Sequence, residues 1–593
     1  MGYISLQTPA TPTANTIPFR AADFATLTEA LDYAAQGETG ANFYTGRGAI
    51  YESLPYSALR EQCRELATKL LGFGLVKGDR VAIIAETDPE FIRFFYACEY
   101  AGLVPVALPA SVKVGAHSVY VKQLRLLLEA SDASVAVSSE GYLSFLREAG
   151  EHLAVRMIDT PEAFHNLPAT TAPLPPIKAD DIAYIQYTSG STRFPRGVVI
   201  KHHTAMANLQ GISGAGLEMT AKDRLMSWLP FYHDMGLVGF VLTPVATQLS
   251  VDYLDTREFA MRPRQWLNLM TKARSTISFA PSFGYDLCAR RVRESDIAGY
   301  DLSNWRAAGI GAEMIRPQTL ESFAEILQPA GFNPKSFLAC YGMAECTLGV
   351  SFSPLGQGFT THYIDSDHLA DAHEASLIEE SEGDISGRGR HFVNCGKPLP
   401  SYEVEVRDED GNKLQDWKSG VIHVRGPSVM SGYYNLPEET GDVLSEDGWL
   451  NTGDIGYLVD GGITITGRKK DLIIIHGRNI WPQDLEHIAE TQPEIRVGDA
   501  LAFSAPTEEG DEQSVLLVQC RETNPTARHN LQRRLIALLR MEMSLDCTVE
   551  LVPNNALPKT SSGKLSRAKA RLNFIAAHSR NATEDVPLQA SNA

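Results

Sequence analysis

The sequence lacks the features that mark secreted, zinc-binding and membrane-spanning proteins. Its 593 residues include 8 cysteines, scattered singly without a Cys-x-x-Cys pair, so neither a disulfide framework nor a cysteine zinc site is expected. No apolar run approaches the roughly 18 residues that a transmembrane helix needs. The amino terminus has no basic region followed by an apolar one, so no signal peptide is expected. We predict a cytoplasmic protein with reduced thiols and no transmembrane segment.

Positive charge is scarce as well. Lys and Arg number 53 against 72 Asp and Glu, which gives a net charge of −19. The phosphates of a nucleic acid would be repelled, and a nucleic-acid partner is therefore not expected. The chain also has no low-complexity tract and no internal repeat, which excludes a solenoid.

What the chain does contain is an alternation of helical and strand-like stretches. The apolar spacing predicts a helix over 56–73, a buried strand over 81–85, a helix over 90–100 and a second strand over 104–108. Strands separated by helices indicate an α/β fold of mainly parallel sheets with helices outside. The length calls for about two or three domains.

The later part of the chain departs from this rhythm. Alternation over 402–414 around Asp410-Gly411, and again over 460–467, predicts β-hairpins. Beyond residue 470 the sequence is typical of a smaller α/β unit. We place a loose arm at 1–24, a large domain at 25–468, a small domain at 469–580 and a tail at 581–593.

The most informative segment is a short apolar run, 182–187, that ends in hydroxyl and glycine residues. Thr188, Ser189, Gly190, Ser191 and Thr192 follow the run, and a Pro-Arg-Gly turn comes next. Hydroxyls and bare backbone N–H groups at a strand end form an anion pocket. The segment is not a GxxxxGK[ST] phosphate loop, because no Lys-Ser/Thr pair closes it. A Ser/Gly-rich surface turn is the alternative.

Six further segments follow in order: Trp228 to Leu237 (WLPFYHDMGL), Gly311-Ala312-Glu313, Tyr341-Gly342-Met343-Ala344-Glu345, Gly448 to Asp454 (GWLNTGD), Gly467 to Asp471 (GRKKD) and Pro558 to Lys564 (PKTSSGK). Together they resemble the adenylate-forming superfamily of acyl-CoA synthetases, luciferases and adenylation domains. The resemblance runs from about residue 25 to 575. It implies a small β-barrel-like subdomain within the large domain and a mobile C-terminal domain.

Within that superfamily the chain is most similar to the fatty acyl-AMP ligases. The similarity lies in WLPFYHDMGL, in SFAPSFGYDLCARR at 278–291, and in GRNIWPQDLE at 477–486. It implies that 346–395 holds the extra insertion of those ligases. Arg193 and Arg196 depart from the more common Thr-Gly and Pro-Lys-Gly pattern, and guanidinium and ammonium groups are not interchangeable.

The resemblance also implies roles for the residues of these segments. Thr188 to Thr192 would hold the departing phosphates of ATP, and Glu345 would ligate Mg²⁺, a hard ion that prefers oxygen. Tyr341 would stack on adenine, with Gly311, Ala312 and Glu313 on the other side of the base and Gly342, Met343 and Ala344 completing the nucleotide site. Asp454 and Arg468 would take the ribose hydroxyls. Core packing for Tyr341, a solvated carboxylate for Glu345 and an Asx turn for Asp454 stay open as structural alternatives.

Two residues are assigned to catalysis itself. Lys564 would bring an ammonium to the α-phosphate, and His233 would lie beside the substrate carboxylate. A solvated lysine and a structural histidine are the alternatives. Lys470 would be the hinge about which the small domain rotates.

The sequence therefore predicts an ATP- and Mg²⁺-dependent ligase that activates a medium- or long-chain fatty acid as acyl-AMP. Transfer to the phosphopantetheine thiol of an acyl carrier protein would follow. A basic surface would dock that acidic partner, and its candidates are Arg528, Arg533, Arg534, Arg540, Arg567, Lys569 and Arg571. An acyl-CoA synthetase and a non-catalytic adenylate sensor are the alternatives.

Overall fold

The computed structural model describes residues 10–110, 117–188, 195–379, 389–475, 478–507, 512–543, 545–560 and 564–584. Its strands are β1 (Gly40–Tyr44), β2 (Ile50–Pro55), β3 (Arg80–Ala85), β4 (Val104–Pro109), β5 (Ala133–Val137), β6 (Met157–Asp159), β7 (Ile182–Thr188), β8 (Arg196–Lys201), β9 (Leu225–Ser227), β10 (Val251–Leu254), β11 (Ile277–Ala280), β12 (Ala307–Ile310), β13 (Phe337–Gly342), β14 (Gly349–Phe352), β15 (Thr360–Asp365), β16 (Gly389–Asn394), β17 (Lys397–Pro398), β18 (Glu403–Arg407), β19 (Gly420–Arg425), β20 (Leu450–Val459), β21 (Gly462–Arg468), β22 (Ile473–Ile475), β23 (Arg478–Ile480), β24 (Ala500–Pro506), β25 (Glu512–Gln519) and β26 (Cys547–Val552).

The α-helices are α1 (Leu27–Ala34), α2 (Tyr56–Gly72), α3 (Pro89–Ala101), α4 (His117–Ser131), α5 (Glu140–Gly150), α6 (Pro161–His165), α7 (His202–Gly211), α8 (Asp234–Gly236), α9 (Thr243–Ala246), α10 (Thr256–Met261), α11 (Arg264–Ala273), α12 (Ser282–Ala289), α13 (Glu294–Ile297), α14 (Pro317–Leu327), α15 (Ser366–Ala372), α16 (Pro437–Gly441), α17 (Pro482–Glu490), α18 (Pro525–Met543) and α19 (Arg567–Glu584). Two π-helical segments, Ile212–Gly216 and Leu237–Leu242, lie beside α7 and α8.

Two large sheets form the centre of the molecule. One has nine strands in the order β17-β14-β13-β12-β11-β9-β10-β1-β2, and the other has six in the order β6-β5-β3-β4-β7-β8. Strands β9 to β13 pair in parallel, as do β3, β4, β5 and β6. Strand β4 is buried along its whole length, as expected of a parallel strand covered by helices on both faces. The α/β prediction is confirmed.

The connecting helices carry their own boundary signals. Helix α3 begins after Asp88, whose carboxylate accepts a hydrogen bond from Phe91 N at 2.9 Å, with Pro89 in the first turn. It ends at Gly102, which has φ 66°. These are the cap residues that helix termini favour, and the helix predicted over 90–100 is therefore correct to within a residue at each end.

A second architecture follows the parallel sheets. Strands β15-β16-β21-β20-β19-β18 form an antiparallel six-stranded sheet, in the region where the small β subdomain was expected. The hairpin over 460–467 is present, with Asp460 and Gly461 at positive φ between β20 and β21. The hairpin over 402–414 is present but short. Asp408 N donates to Asn412 O at 3.0 Å, Leu414 N donates to Val406 O at 2.8 Å, and Arg407 and Lys413 form a bridge, while β18 takes β19 as its longer partner.

The small domain has hydrophobic clusters of its own. Strands β24, β25 and β26 form a three-stranded sheet, against which α17, α18 and α19 pack. Leu485, Leu516 and Leu535 belong to one of its buried clusters, and Leu557 and Phe574 belong to another. These clusters support the predicted boundary near residue 469, which stays a prediction.

The described part of the amino-terminal arm is not loose, which corrects the expectation for 10–24. Thr11 N donates to Asn42 Oδ1 at 2.9 Å, and Thr11 Oγ1 donates to Ser250 Oγ at 3.0 Å. Arg224 donates to Thr11 O at 2.8 Å while pairing with the fully buried Asp252. The polar groups of the arm thus find partners in β1 and directly before β9 and β10, which fixes the arm.

Among the described residues, no helix combines the length and the apolar character needed to cross a bilayer.

Candidate active site

A cavity of about 1170 Å³ opens where the large and small domains meet. It lies outside the carboxyl ends of the parallel strands, the position at which α/β sheets bind ligands. The lining includes the end of β7, the residues after β12 and β13, and Lys564 of the small domain. The cavity therefore brings together segments that are hundreds of residues apart in the sequence.

Tyr341, Asp454 and Arg468 form a hydrogen-bonded cluster on the cavity wall. The Tyr341 hydroxyl donates to Asp454 Oδ2 at 2.8 Å. Arg468 stands opposite Asp454 in the β20–β21 ladder, with its Nε 2.9 Å from Asp454 Oδ1. Asp454 is only 4% exposed, so a carboxylate at this position needs these two donors. Its carboxylate is thus held on the cavity wall by two neighbouring side chains.

The segment after β12 passes close to β13. A Cβ on Gly311 would lie 2.9 Å from Cys340 O, which leaves room for glycine alone. Ala312 has φ +69°, and Glu313 Oε1 accepts a hydrogen bond from Phe283 N at 3.1 Å, at the start of α12. Glu313 is therefore held by a helix amino terminus at the edge of the cavity.

Glu345 lies in a short 3₁₀ turn directly after β13. Its Oε1 accepts a hydrogen bond from the Tyr433 hydroxyl at 2.9 Å, and its carbonyl oxygen accepts one from Met430 N at 2.8 Å. Burial raises the pKa of Glu345, and the Tyr433 hydrogen bond opposes that rise. Gly342 permits the turn, because a Cβ there would lie 1.8 Å from Leu348 O. Met343 and Ala344 line the cavity beside it.

His233 and Asp234 form a close pair at the start of α8. Their side chains approach to 2.6 Å between Nδ1 and Oδ1, and His233 lines the cavity at 20% side-chain exposure. Burial alone would raise the pKa of Asp234, but the neighbouring His233 and Lys564 outweigh this effect and hold the pKa below its ordinary value. Asp234 thus links the predicted histidine to the predicted lysine.

Lys564 enters the cavity from the small domain. Burial lowers the pKa of its ammonium, and the carboxylates of Asp234 and Glu313 oppose that shift. A solvated lysine would have neither the burial nor the carboxylates. This arrangement of the two domains brings Lys564 to the same cavity as Glu345 and Asp454.

The predicted phosphate segment is only partly described. Thr188 ends β7 and lines the cavity. Ser189, Gly190, Ser191 and Thr192 lie outside the described residues. Arg196, which opens β8, has its guanidinium 5.3 Å from the centre of the Tyr433 ring.

Ion pairs join the small domain to the large one. Arg316 Nη1 lies 2.7 Å from Glu490 Oε2, and Arg390 of β16 pairs with Asp484 of α17. Burial raises the pKa of Glu490 to about 7, against the pull of Arg316. Lys470 lies in the 3₁₀ turn between β21 and β22, where the chain passes from one domain to the other.

An apolar arm of the cavity runs away from these polar groups, toward the amino ends of β9 and β11. Its walls include Leu217, Met219, Leu225, Phe240, Ile277 and Phe279. Each of these side chains is buried. The cavity thus has a polar end that suits a nucleotide and an apolar end that suits a hydrocarbon chain.

Sequence reasoning missed several residues of this site. Tyr433 holds the carboxylate of Glu345 from a segment with no recognisable motif, so no signal in the sequence pointed to it. Asp234 stands next to His233 in the sequence, but adjacency alone does not show that the two side chains pair. Arg316 and Arg390 meet the small domain through tertiary contacts that no local pattern encodes.

Comparison with known proteins agrees with this geometry. The family model described as AMP-binding enzyme matches residues 31–434. A protein of Caulobacter vibrioides named "Putative acyl-CoA synthetase" is 46% identical over 95% of this chain and 98% of its own length. The medium-chain-fatty-acid–[acyl-carrier-protein] ligase JamA of Moorena producens is 30% identical over 93% and 95% of the two chains.

A solved structure gives the same result. It comes from a study of fatty acyl-adenylate ligases from E. coli and L. pneumophila, and superposes with a TM-score of 0.90 at 46% identity, over 95% of this chain and all of that one. The chain therefore belongs to the AMP-binding enzyme family, and its activity is of the fatty acyl-adenylate ligase or acyl-CoA synthetase type.

Proposed function

We propose that the protein activates a medium- or long-chain fatty acid with ATP, releasing pyrophosphate, and transfers the acyl group to the phosphopantetheine thiol of an acyl carrier protein. The observation that carries the first step is the cavity itself. It joins a cluster of charged groups around Lys564, Glu345 and Asp454 to an apolar arm of fatty-acid character. The two substrates would meet where these parts join.

In the first step a carboxylate oxygen of the fatty acid attacks the α-phosphorus of ATP. A P–O bond forms there, the bond to the β-phosphate oxygen breaks, and pyrophosphate leaves with the bond's electron pair. Both reactants are anions, so the site must supply cations and donors where charge develops. Lys564 would do this at the α-phosphate oxygens, and His233 would lie beside the attacking carboxylate.

The nucleotide would be held by the groups around Tyr341. Asp454 would accept from the ribose hydroxyls, with Arg468 beside it, and the Tyr341 ring would offer a face to adenine. Gly311, Ala312 and Glu313 would border the base from the other side, and Gly342, Met343 and Ala344 from below. Thr188, with Ser189 to Thr192, would receive the departing phosphates.

The residues present fit a Mg²⁺ ion bound together with ATP. The described residues contain no group of three or more His, Cys, Asp or Glu side chains that would hold a metal alone. Mg²⁺ is commonly bound by one or two carboxylates plus substrate phosphates, and the half-buried Glu345 supplies such a carboxylate. The ion would offset the negative charge of the phosphates.

The carrier-protein acceptor is supported by the relation to JamA and by one interdomain contact. Transfer requires the small domain to rotate about Lys470 and withdraw Lys564. The ion pair between Arg390 and Asp484 ties the insertion region, 346–395, to the small domain. We propose that this region hinders the movement or the approach that coenzyme A needs.

The predicted docking surface is less positive than its sequence indicates. Four of its arginines are in ion pairs within the small domain, with Glu494, Asp546, Glu486 and Glu512 as partners of Arg534, Arg540, Arg567 and Arg571. Arg528 donates to Leu551 O. Charge attraction to an acidic carrier would rest mainly on Arg533 and Lys569. The predicted location of the protein, the cytoplasm, stays a prediction.

An acyl-CoA synthetase is the second candidate, favoured by the name of the Caulobacter relative. A non-catalytic adenylate sensor is the third. Fatty-acid-dependent exchange of labelled pyrophosphate into ATP tests the first half-reaction. Exchange with fatty acids and none with amino acids supports the proposal, and adenylate binding without exchange would leave the sensor as the function.

A further inference from the structure

The apolar arm of the cavity ends against one segment, residues 217–223. This segment crosses the amino ends of β9, β11 and β12. Leu217 and Met219 line the cavity and are 3% and 6% exposed. Beside them Leu225 pairs with Ile277 at the first residues of β9 and β11. Together these four side chains close the end of the arm that is farthest from Lys564.

The closing segment is held in place by an ionic network around the buried Asp223. Arg306, directly before β12, contacts both carboxylate oxygens of Asp223 at 2.7 and 2.8 Å and donates to Leu217 O at 2.9 Å. Asp223 in turn accepts from Thr220 N at 2.8 Å and from Thr276 Oγ1 at 2.7 Å. A bidentate arginine pair fixes geometry as well as charge. The segment therefore forms a rigid end to the arm.

The depth of the arm follows from the strand beside it. Ile277 stands at the closed end, and β11 ends at Ala280, two residues before Ser282, which lines the cavity again. Three residues of strand span about 10 Å. An extended alkyl chain advances about 1.3 Å per carbon, because its bonds of about 1.52 Å run in a zigzag. The arm therefore accepts about eight carbons before the chain reaches Leu217 and Met219.

The walls of the arm are also tightly packed. The ring of Phe279 lies so close to Gly309 that a Cβ there would stand 2.3 Å from it. Phe240 meets the same ring edge-on, with 6.0 Å between centroids. Side chains packed in this way cannot shift without strain, so the walls favour an unbranched chain.

We infer that Leu217 and Met219 determine chain length and that the substrate is an unbranched fatty acid of medium length. This inference rests on the proposed function, since it assumes that the acyl chain occupies the apolar arm. Longer acids would have to displace the segment that Arg306 holds. Acids much shorter than octanoate would leave part of the arm unfilled and lose binding free energy.

Pyrophosphate exchange with hexanoate, octanoate, dodecanoate and hexadecanoate tests the inference. The wild type should prefer octanoate over both dodecanoate and hexadecanoate, by at least about tenfold in kcat/KM for hexadecanoate. Met219→Ala should raise the ratio of hexadecanoate to octanoate activity by about tenfold, and Leu217→Phe should move the optimum toward hexanoate. Met226→Ala is the matched control, because Met226 is also fully buried but points to the opposite face of β9.

The outcomes separate this inference from the proposed function. Equal use of hexadecanoate and octanoate by the wild type would overturn it while leaving fatty acid activation intact. So would a length preference unchanged in both Met219→Ala and Leu217→Phe when octanoate activity and melting temperature show both variants to be folded. Absence of exchange with every fatty acid would instead refute the proposed function.

Discussion

Replacement of Lys564 by alanine should separate the two half-reactions. Lys564 reaches the cavity from the small domain, where burial lowers the pKa of its ammonium and the carboxylates of Asp234 and Glu313 oppose that shift. A preorganised donor of this kind contributes about 10² to 10³ in rate. We therefore expect pyrophosphate exchange by Lys564→Ala to fall by about that factor. Transfer from separately supplied acyl-AMP should stay within a few-fold of wild type, because the loop has by then moved away with its domain.

The assay needs both steps and a control lysine. Pyrophosphate exchange reports adenylation, and intact-mass detection of acyl-carrier formed from added acyl-AMP reports transfer. Lys335→Ala removes an exposed lysine of the large domain and should alter neither rate. Equal losses in both steps for Lys564→Ala would refute the reasoning and indicate a structural lysine.

Three further predictions follow from contacts around the cavity. Arg390→Ala removes the ion pair with Asp484 and should leave adenylation intact while raising acyl-CoA formation several-fold. Arg425→Ala, which breaks an ion pair within the large domain, is the control. An unchanged rate of acyl-CoA formation in Arg390→Ala would show that the insertion does not restrain the small domain through this contact. Tyr433→Phe removes the hydrogen bond to Glu345 and should raise the Mg²⁺ concentration for half-maximal pyrophosphate exchange about tenfold. Tyr434→Phe is the control and should leave this concentration unchanged. An unaltered Mg²⁺ dependence in Tyr433→Phe would mean that Glu345 does not ligate the metal. Burial raises the pKa of Glu490 from 4.5 to about 7, so between these pH values the folded state binds more protons than the unfolded state. The melting temperature of the wild type, relative to that of Glu490→Gln, should therefore fall as the pH rises from 4.5 to about 7. A difference in melting temperature that does not depend on pH would mean that Glu490 ionises normally.

Much of the fold followed from local patterns that have a local cause. The helix over 90–100 and the strands over 81–85 and 104–108 were predictable because their apolar residues, caps and glycines are encoded within each segment. The 402–414 hairpin turns around Asp410-Gly411 as its sequence indicates, but it is short, because partner choice is a tertiary property and β18 pairs over a longer stretch with β19. The arm at 10–24 was expected to be loose from its Thr and Pro content, but its partners Asn42 and Ser250 lie far along the chain.

The site shows the same division. Lys564, Asp454 and Tyr341 stood in segments with a distinctive order and spacing, and the structure brings all three to one cavity. Tyr433 and Arg306 act through contacts made across the fold, to Glu345 in one case and to Asp223 in the other. Neither contact can be predicted from the neighbouring residues, since a single tyrosine or arginine in a loop has many possible partners.

The most direct test of the whole account is a competition for the acyl group. The enzyme is given octanoate, ATP and Mg²⁺ together with equal concentrations of a phosphopantetheinylated acyl carrier protein and coenzyme A, and the products are followed by intact mass and by pyrophosphate release. The account predicts pyrophosphate release that depends on octanoate, with the acyl group accumulating on the carrier well ahead of coenzyme A. Acyl-CoA formation as fast as acyl-carrier formation would contradict the proposed acceptor, and no octanoate-dependent pyrophosphate release would contradict the account at its first step.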